Sequence, residues 1–341
     1  MKTVIYSALI ITLPILCLAE YDEAAFAQLI RNGAIAKYVY RVVDDDGAPV
    51  SNATAHVRFS SYARPQDNAD WRIDTDTNGI FVAEHRLNEK FTVGIGKAGY
   101  YRTYDKINYY GMSAEERLSK VKDGKWQPYG EMRTVVLKKI KNPIKMVVPP
   151  SRINEAISLG EWHEYDLVAR EWMPPYGNGK QTDVLIRLGL EAKNDISDFR
   201  ATMDLCFTNS PYSGVYRMQK EQFSEMKSCY VADTNAVYET MVSNLYEKRP
   251  HKKTIDTRLT EDSYFVFRIR TTVDASGKLV SAHYGKILGP WEFFGTMRTG
   301  TVYFNPTPND TNLEDAETAR LSRLGYKQSI EFGRRRKAGG K

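Results

Sequence analysis

From Lys37 to about Lys139, apolar and polar residues alternate in short runs separated by clusters of Asp, Asn and Gly. A period of two puts every second side chain on one face of a strand, whereas a helix needs apolar residues three and four apart. Ala53, Ala55, Val57 and Phe59 show the alternation most plainly. Tyr38-Val39-Tyr40-Arg41-Val42-Val43, Ile80-Phe81-Val82, Phe91-Thr92-Val93-Gly94-Ile95-Gly96 and Thr134-Val135-Val136-Leu137 add further strands. Asp44-Asp45-Asp46-Gly47 and Asp74-Thr75-Asp76-Thr77-Asn78-Gly79 read as the turns between them. Short strands at this spacing predict a β-sandwich over 37–140.

At 341 residues the chain has room for about two domains. A second domain is expected over 152–332, after a Pro-punctuated linker at 141–151. Val184, Ile186, Leu188 and Leu190 alternate; Tyr264–Val273 and Lys278–Ile287 flank Asp274-Ala275-Ser276-Gly277 as a hairpin; Thr301–Phe304 is a late strand. Met218 to Tyr230 is expected to form one helix. Ala24, Phe26, Leu29 and Ile30 predict a brief helix in the connector 20–36, ended by Gly33. Within 108–129 an inserted loop should carry a short helix capped by Ser113.

Three blocks in order carry a family resemblance: Asp46-Gly47-Ala48-Pro49-Val50 with Ala53, Ala55 and Val57; Thr75-Asp76-Thr77-Asn78-Gly79-Ile80-Phe81; and Val93-Gly94-Ile95-Gly96-Lys97-Ala98-Gly99-Tyr100. Together they resemble the carboxypeptidase regulatory-like domain, which implies a transthyretin-like β-sandwich over roughly 100 of the 341 residues. The fold class expected is therefore mainly β, with this sandwich followed by a second sandwich-type domain with minor helix. Lys141-Asn142-Pro143, Glu171 to Gly179, Gly285 to Pro290 and Phe304 to Leu313 resemble, in that order, segments of a group of secreted bacterial proteins. That second resemblance supports the architecture and implies no activity.

Residues 1–19 read as a signal peptide: Lys2, an apolar run from Val4 to Leu16, then Cys17-Leu18-Ala19 before an acidic stretch. The run falls short of the ~20 residues that span a bilayer. The expected location is secreted, periplasmic or cell-envelope. The formal net charge is +6, but Lys2 lies in the leader and five positive charges lie in the last eight residues. The body is thus close to neutral, which argues against a nucleic-acid partner. The tail 333–341 offers at most a weak membrane contact. Loss of Cys17 leaves Cys206 and Cys229, which an oxidising compartment would join as a disulfide. Such a bond would close a loop of about 24 residues and stabilise by ~3 kcal/mol.

Asp74, Asp76 and Asn78 before Gly79 resemble the opening of a calcium loop, so Ca2+ is the one metal to consider, although His85 stands where the twelfth-position carboxylate belongs. Otherwise the three residues are simply a hairpin turn. Gly177-Asn178-Gly179-Lys180 lacks the spacing of a phosphate loop and reads as a rigid turn. No zincin, serine-hydrolase or cysteine-nucleophile signature is present. Tyr100, Tyr101, Tyr104 and Trp126, with Trp172 in the second domain, are candidate ligand-binding aromatics, since sugar faces pack on exposed rings. Asp166, Glu171 and Asp183 near Trp162 and Trp172 form the one acid cluster that a carbohydrate-active hydrolase could use.

The role expected from sequence is non-catalytic: a secreted or envelope binding or scaffolding module for a glycan or a cell-surface protein. The alternatives are a hydrolase with its site in the second domain, and a structural surface-layer component.

Overall fold

The computed structural model describes residues 22–61, 65–150, 152–192, 198–207, 210–221 and 223–326. The expected signal peptide and basic tail lie outside them. The chain is mainly β.

A first helix, α1 (Glu23–Asn32), is capped by the Asp22 carboxylate and closed by Gly33 at φ 62°. The strands that follow are β1 (Ala34–Asp44), β2 (Thr54–Ser60), β3 (Ala69–Asp74), β4 (Ile80–Leu87), β5 (Lys90–Gly96) and β6 (Thr103–Asn108). Helix α2 (Ala114–Ser119) has the capping box that Ser113 and Glu116 predict. Strands β7 (Val121–Lys122), β8 (Lys125–Trp126) and β9 (Met132–Leu137) complete the first half. Two sheets result, β4-β1-β8-β7 with β9 also on β1, and β3-β2-β5-β6. Alternation along each strand sends one set of side chains between the sheets, where Tyr38, Tyr40, Val57, Phe59, Phe81 and Phe91 share one core.

Strands β10 (Ile153–Glu155), β11 (Trp162–Asp166), β12 (Glu171–Trp172), β13 (Val184–Ala192), β14 (Phe199–Cys206), β15 (Gly214–Gln219) and β16 (Met241–Lys248) open the second half. It continues with β17 (Ile255–Asp256), β18 (Ser263–Val273), β19 (Leu279–Leu288), β20 (Glu292–Phe293), β21 (Thr296–Arg298) and β22 (Thr301–Phe304). The sheets are β12-β11-β13-β14-β16-β17, β15-β18-β19-β22 and β10-β21-β20. Ile186, Leu188, Met203 and Leu205 of the first pack on Phe265, Phe267 and Ile287 of the second. Residues 316–326 are helical.

Three turns share one chemistry. In Asp44-x-x-Gly47, Asp76-x-x-Gly79 and Asp274-x-x-Gly277 the leading carboxylate accepts the backbone N–H groups two and four residues on. Glycine is required at position 79, where φ is 74° and a Cβ would lie 2.4 Å from the Val42 carbonyl oxygen.

Three expectations need correction. Met218 to Tyr230 is not a helix: it is the end of β15 and an irregular segment that bridges Thr103 through Ser224. Tertiary pairing with β18 and with the first sandwich overrides its loose helical period. Residues 141–150 are not a detached linker, because Ile144 bridges Asp315, Val147 bridges Phe304, and Met146 is buried. Cys206 and Cys229 are not joined to each other by a disulfide. Cys206 ends β14 opposite Leu185 and Met241, whereas Cys229 packs against the cluster around Tyr264 and Tyr284, so different cores hold them.

The two halves meet through a small core of Tyr101, Met226 and Ala319. Around it the Glu314 carboxylate accepts from the Tyr101 hydroxyl (3.0 Å) and from the amides of Lys141 and Asn142 (2.8 and 2.6 Å). The Tyr230 hydroxyl donates to Asp45. This joint places the segment at 223–226 against β6, where the candidate site lies.

Candidate functional site: a groove on the first sandwich

The residues expected to form an aromatic strip do not lie together on the surface. Trp126 is buried, stacked at 3.9 Å on Tyr109, and its indole N–H donates to the Leu87 carbonyl. Tyr101 is fully buried at the joint. Trp172 is buried in the second core, with its N–H on the Glu155 carbonyl. These three are structural: an indole or phenol that large is worth more inside, once its polar atom has a partner. Tyr100 is half-buried against the first core. Tyr104 alone is exposed, at 37%.

Tyr104 belongs to a groove of about 470 Å³ on the outer face of β3-β2-β5-β6. Ala55, Val57, Val93 and Ile95 point into the core, so Thr54, His56 and Arg58 on β2 and Thr92, Gly94 and Gly96 on β5 must point out. The register aligns them in rows. His56, Gly94 and Tyr104 form one row; Arg58, Thr92 and Lys106 form the next. Gly94 makes the first row possible, because a Cβ there would lie 3.2 Å from the Tyr104 ring. The ring therefore lies across the bare backbone of β5.

The far wall comes from the second half. The Tyr104 amide donates to the Phe223 carbonyl at 2.9 Å. Phe223 stands in the left-handed region at φ 69° with its ring 39% exposed. Backbone strain and an exposed phenyl are both costs, and they coincide at the rim of the groove. The Tyr104 hydroxyl donates to Glu225 at 3.0 Å, and the Arg102 guanidinium sits 4.8 Å from the ring centre. Burial raises the Tyr104 phenol to about 12, so it stays neutral. Burial likewise pulls the His56 imidazole down; Asp70 opposes this and the guanidinium groups of Arg72, Arg58 and Arg102 reinforce it. Asp105 faces inward to Tyr40 and Arg133. The groove thus combines the Tyr104 ring laid over Gly94, the exposed Phe223 ring and the cations of Arg58, Arg102 and Lys106. Among the described residues that line it there is no Ser or Cys nucleophile beside a base, and no pair of free carboxylates.

The other sites expected from sequence resolve as follows. Asp76 is spent on its turn amides and Asp74 accepts the Thr54 hydroxyl, so the calcium-like motif is a turn of the same kind as the two at Asp44 and Asp274. Among the described residues no three His, Cys, Asp or Glu side chains group to hold a metal. Asp166 and Asp183 do come together, but both are buried, and Arg270 bonds Asp183 at 2.8 Å and Asp166 at 3.4 Å. Burial raises the Asp183 carboxyl and Arg270 opposes it. Asp166 is also consumed by the amides of Ala169, Lys180 and Gln181. Glu171 pairs with Arg152 instead, beside a shallow recess with Trp172 and Tyr176. The Gly177-Asn178-Gly179 loop is a tight turn, since a Cβ on Gly177 would lie 2.4 Å from the Trp172 carbonyl oxygen.

No family model matches the chain, and no curated protein does. Among solved structures it is similar to 3-chlorocatechol 1,2-dioxygenase from Rhodococcus opacus 1CP, at 15% identity and TM-score 0.25 over 32% of this chain and 61% of that one. Hydroxyquinol 1,2-dioxygenase from Pseudomonas putida DLL-E4 matches at 16% identity and TM-score 0.23, over 32% of this chain and 57% of that one. Catechol 1,2-dioxygenase from Acinetobacter sp. ADP1 matches at 13% and 0.23, over 32% and 54%. The chain spans less than two thirds of the length of these relatives, and likeness at this level transfers no chemistry.

Proposed function

We propose that the protein is a non-catalytic, secreted or envelope binding module whose first sandwich, of the transthyretin-like, regulatory-like kind, takes an acidic glycan. The observation that carries this reading is the row His56–Gly94–Tyr104 beside Phe223. The Tyr104 ring laid over Gly94, with the Phe223 ring beside it, offers aromatic surface to the face of a sugar. Arg58, Arg102 and Lys106 around it favour a carboxylate or sulfate on that sugar. The module needs no cofactor and no acid–base pair. A glycan borne by a surface protein would meet the same groove.

The test is calorimetric titration of residues 20–341 with a uronic-acid trisaccharide and with its neutral counterpart. The acidic sugar should bind and the neutral one should bind at least tenfold more weakly. Phe223→Ala and Arg58→Ala should each weaken binding about fivefold to tenfold, since an aromatic contact and a charged hydrogen bond are each worth ~1 kcal/mol or more. Equal affinity for both sugars, or binding indifferent to both substitutions, would reject the groove. Cleavage of the sugar would reject the non-catalytic role.

A further inference from the structure

On the other side of the 220–227 segment lies a second cleft, of about 720 Å³, between the second half and the helix at 316–326. Four cations line it, Arg152, Lys220, Lys227 and Arg298, of which Arg152 is already paired with Glu171. Two acids line it, Glu225 and Glu261, and one Glu225 oxygen is buried without a hydrogen-bond partner among the described residues. Glu225 takes the Tyr104 hydroxyl and pairs with Arg102; Glu261, itself 76% exposed, reaches Lys220 only at 3.7 Å. The Lys220 side chain is 8% exposed. Burial lowers its amine, and Glu261 opposes the shift. Lys227 and Arg298 form no ion pair with any described residue.

A buried cation adds to the imbalance. Arg170 is 1% exposed and bonded to Thr299, which lines the cleft. Its guanidinium donates to the Thr299 hydroxyl at 2.7 Å, to the Thr299 carbonyl and to the Pro150 carbonyl at 3.2 Å. Those oxygens are neutral, and among the described residues no carboxylate answers the charge. A buried guanidinium held only by neutral acceptors retains most of its desolvation cost. An anion seated on Thr299 and Gly300 would answer Arg170 while Lys220, Lys227 and Arg298 close around it. The volume exceeds one oxyanion and suits a small organic molecule.

We propose that this cleft binds a small polyanion carrying two or more phosphate or sulfate groups, at a site separate from the glycan groove. Both group types present the tetrahedral oxygens that guanidinium and ammonium donors recognise.

The test is calorimetry of the full chain with inorganic pyrophosphate and, separately, with a disulfated disaccharide, at 20 mM and 150 mM salt. At least one probe should bind with unit stoichiometry and weaken at the higher salt. A Lys227→Ala/Arg298→Ala double variant should lose tenfold or more in affinity; both side chains are exposed, so a thermal melt should confirm an intact fold. Phe223→Ala should leave binding unchanged, which separates this site from the groove. Preference for pyrophosphate assigns a phosphorylated ligand, and preference for the disaccharide assigns a sulfated one. Failure of both probes to saturate at 20 mM salt, full affinity in the double variant, or loss on Phe223→Ala overturns the proposal.

Discussion

Replacing Glu314 by alanine should do more damage than any other single change of a polar residue at the joint. Its carboxylate is 1% exposed and accepts three hydrogen bonds, from a phenol and two backbone amides contributed by the other side. Each bond to a charged acceptor contributes about 1.5–3 kcal/mol. Lys141 and Asn142 are exposed residues, so water can recover part of what their amides lose. The Tyr101 hydroxyl is sealed in the small core and recovers nothing. The expected cost of Glu314→Ala is therefore about 3–4 kcal/mol. Glu314→Gln keeps one acceptor and turns an NH₂ group toward a donor, so it should cost about half as much. Urea unfolding of the full chain measures both. Because Phe223 reaches β6 only while the halves are docked, the alanine variant should also lose the groove before the first sandwich unfolds. A cost below 1 kcal/mol for alanine, or glutamine as harmful as alanine, would refute the clamp.

Three further outcomes follow. Lys286 is fully buried with its amine on Ser228 and the Leu313 carbonyl, and burial pushes it down to about 8. The unfolded chain then holds this proton more tightly than the native one, so the group's contribution to stability rises between about pH 8 and pH 10.5, by up to ~3 kcal/mol. Wild type minus Lys286→Met, followed by chemical denaturation across that window, should show the rise; a flat difference contradicts the burial argument. Trp126→Ala should cost about 3–5 kcal/mol in a denaturation midpoint series, as for other buried aromatic truncations, and a near-neutral result would put the indole back on the surface. Calcium at millimolar concentration should leave the melting temperature unchanged, while Asp76→Ala should cost ~1 kcal/mol through its lost turn bonds. A calcium-dependent rise of several degrees would reinstate an ion at that turn.

Strand periodicity made the first sandwich readable, because Ala53 to Phe59 alternate against a face that must be buried. Ser113 and Gly33 were readable too, since cap chemistry is local. The aromatics misled for a physical reason: composition reports how many large rings exist, and burial of Trp126, Tyr101 and Trp172 depends on where Leu87, Glu314 and Glu155 arrive to satisfy their polar atoms. Asp74, Asp76 and Asn78 read two ways in the sequence because a turn and a cation ask for the same oxygens. The groove was half written in β2 and β5, where Thr54, His56 and Arg58 and then Gly94 and Gly96 are the residues left over once the core face is assigned. Phe223 was not readable, since a loop of the second half brings it there. The cationic cleft is likewise assembled from six separate segments, and no local pattern announces it.

The most direct test of the account is a crystal structure of the chain soaked with the uronic-acid trisaccharide. The expected result is a sugar ring packed against Tyr104 and Phe223, with its carboxylate within hydrogen-bond distance of Arg58, Arg102 or Lys106. A sugar seated instead in the recess beside Trp172 and Glu171, with the groove empty, would contradict it.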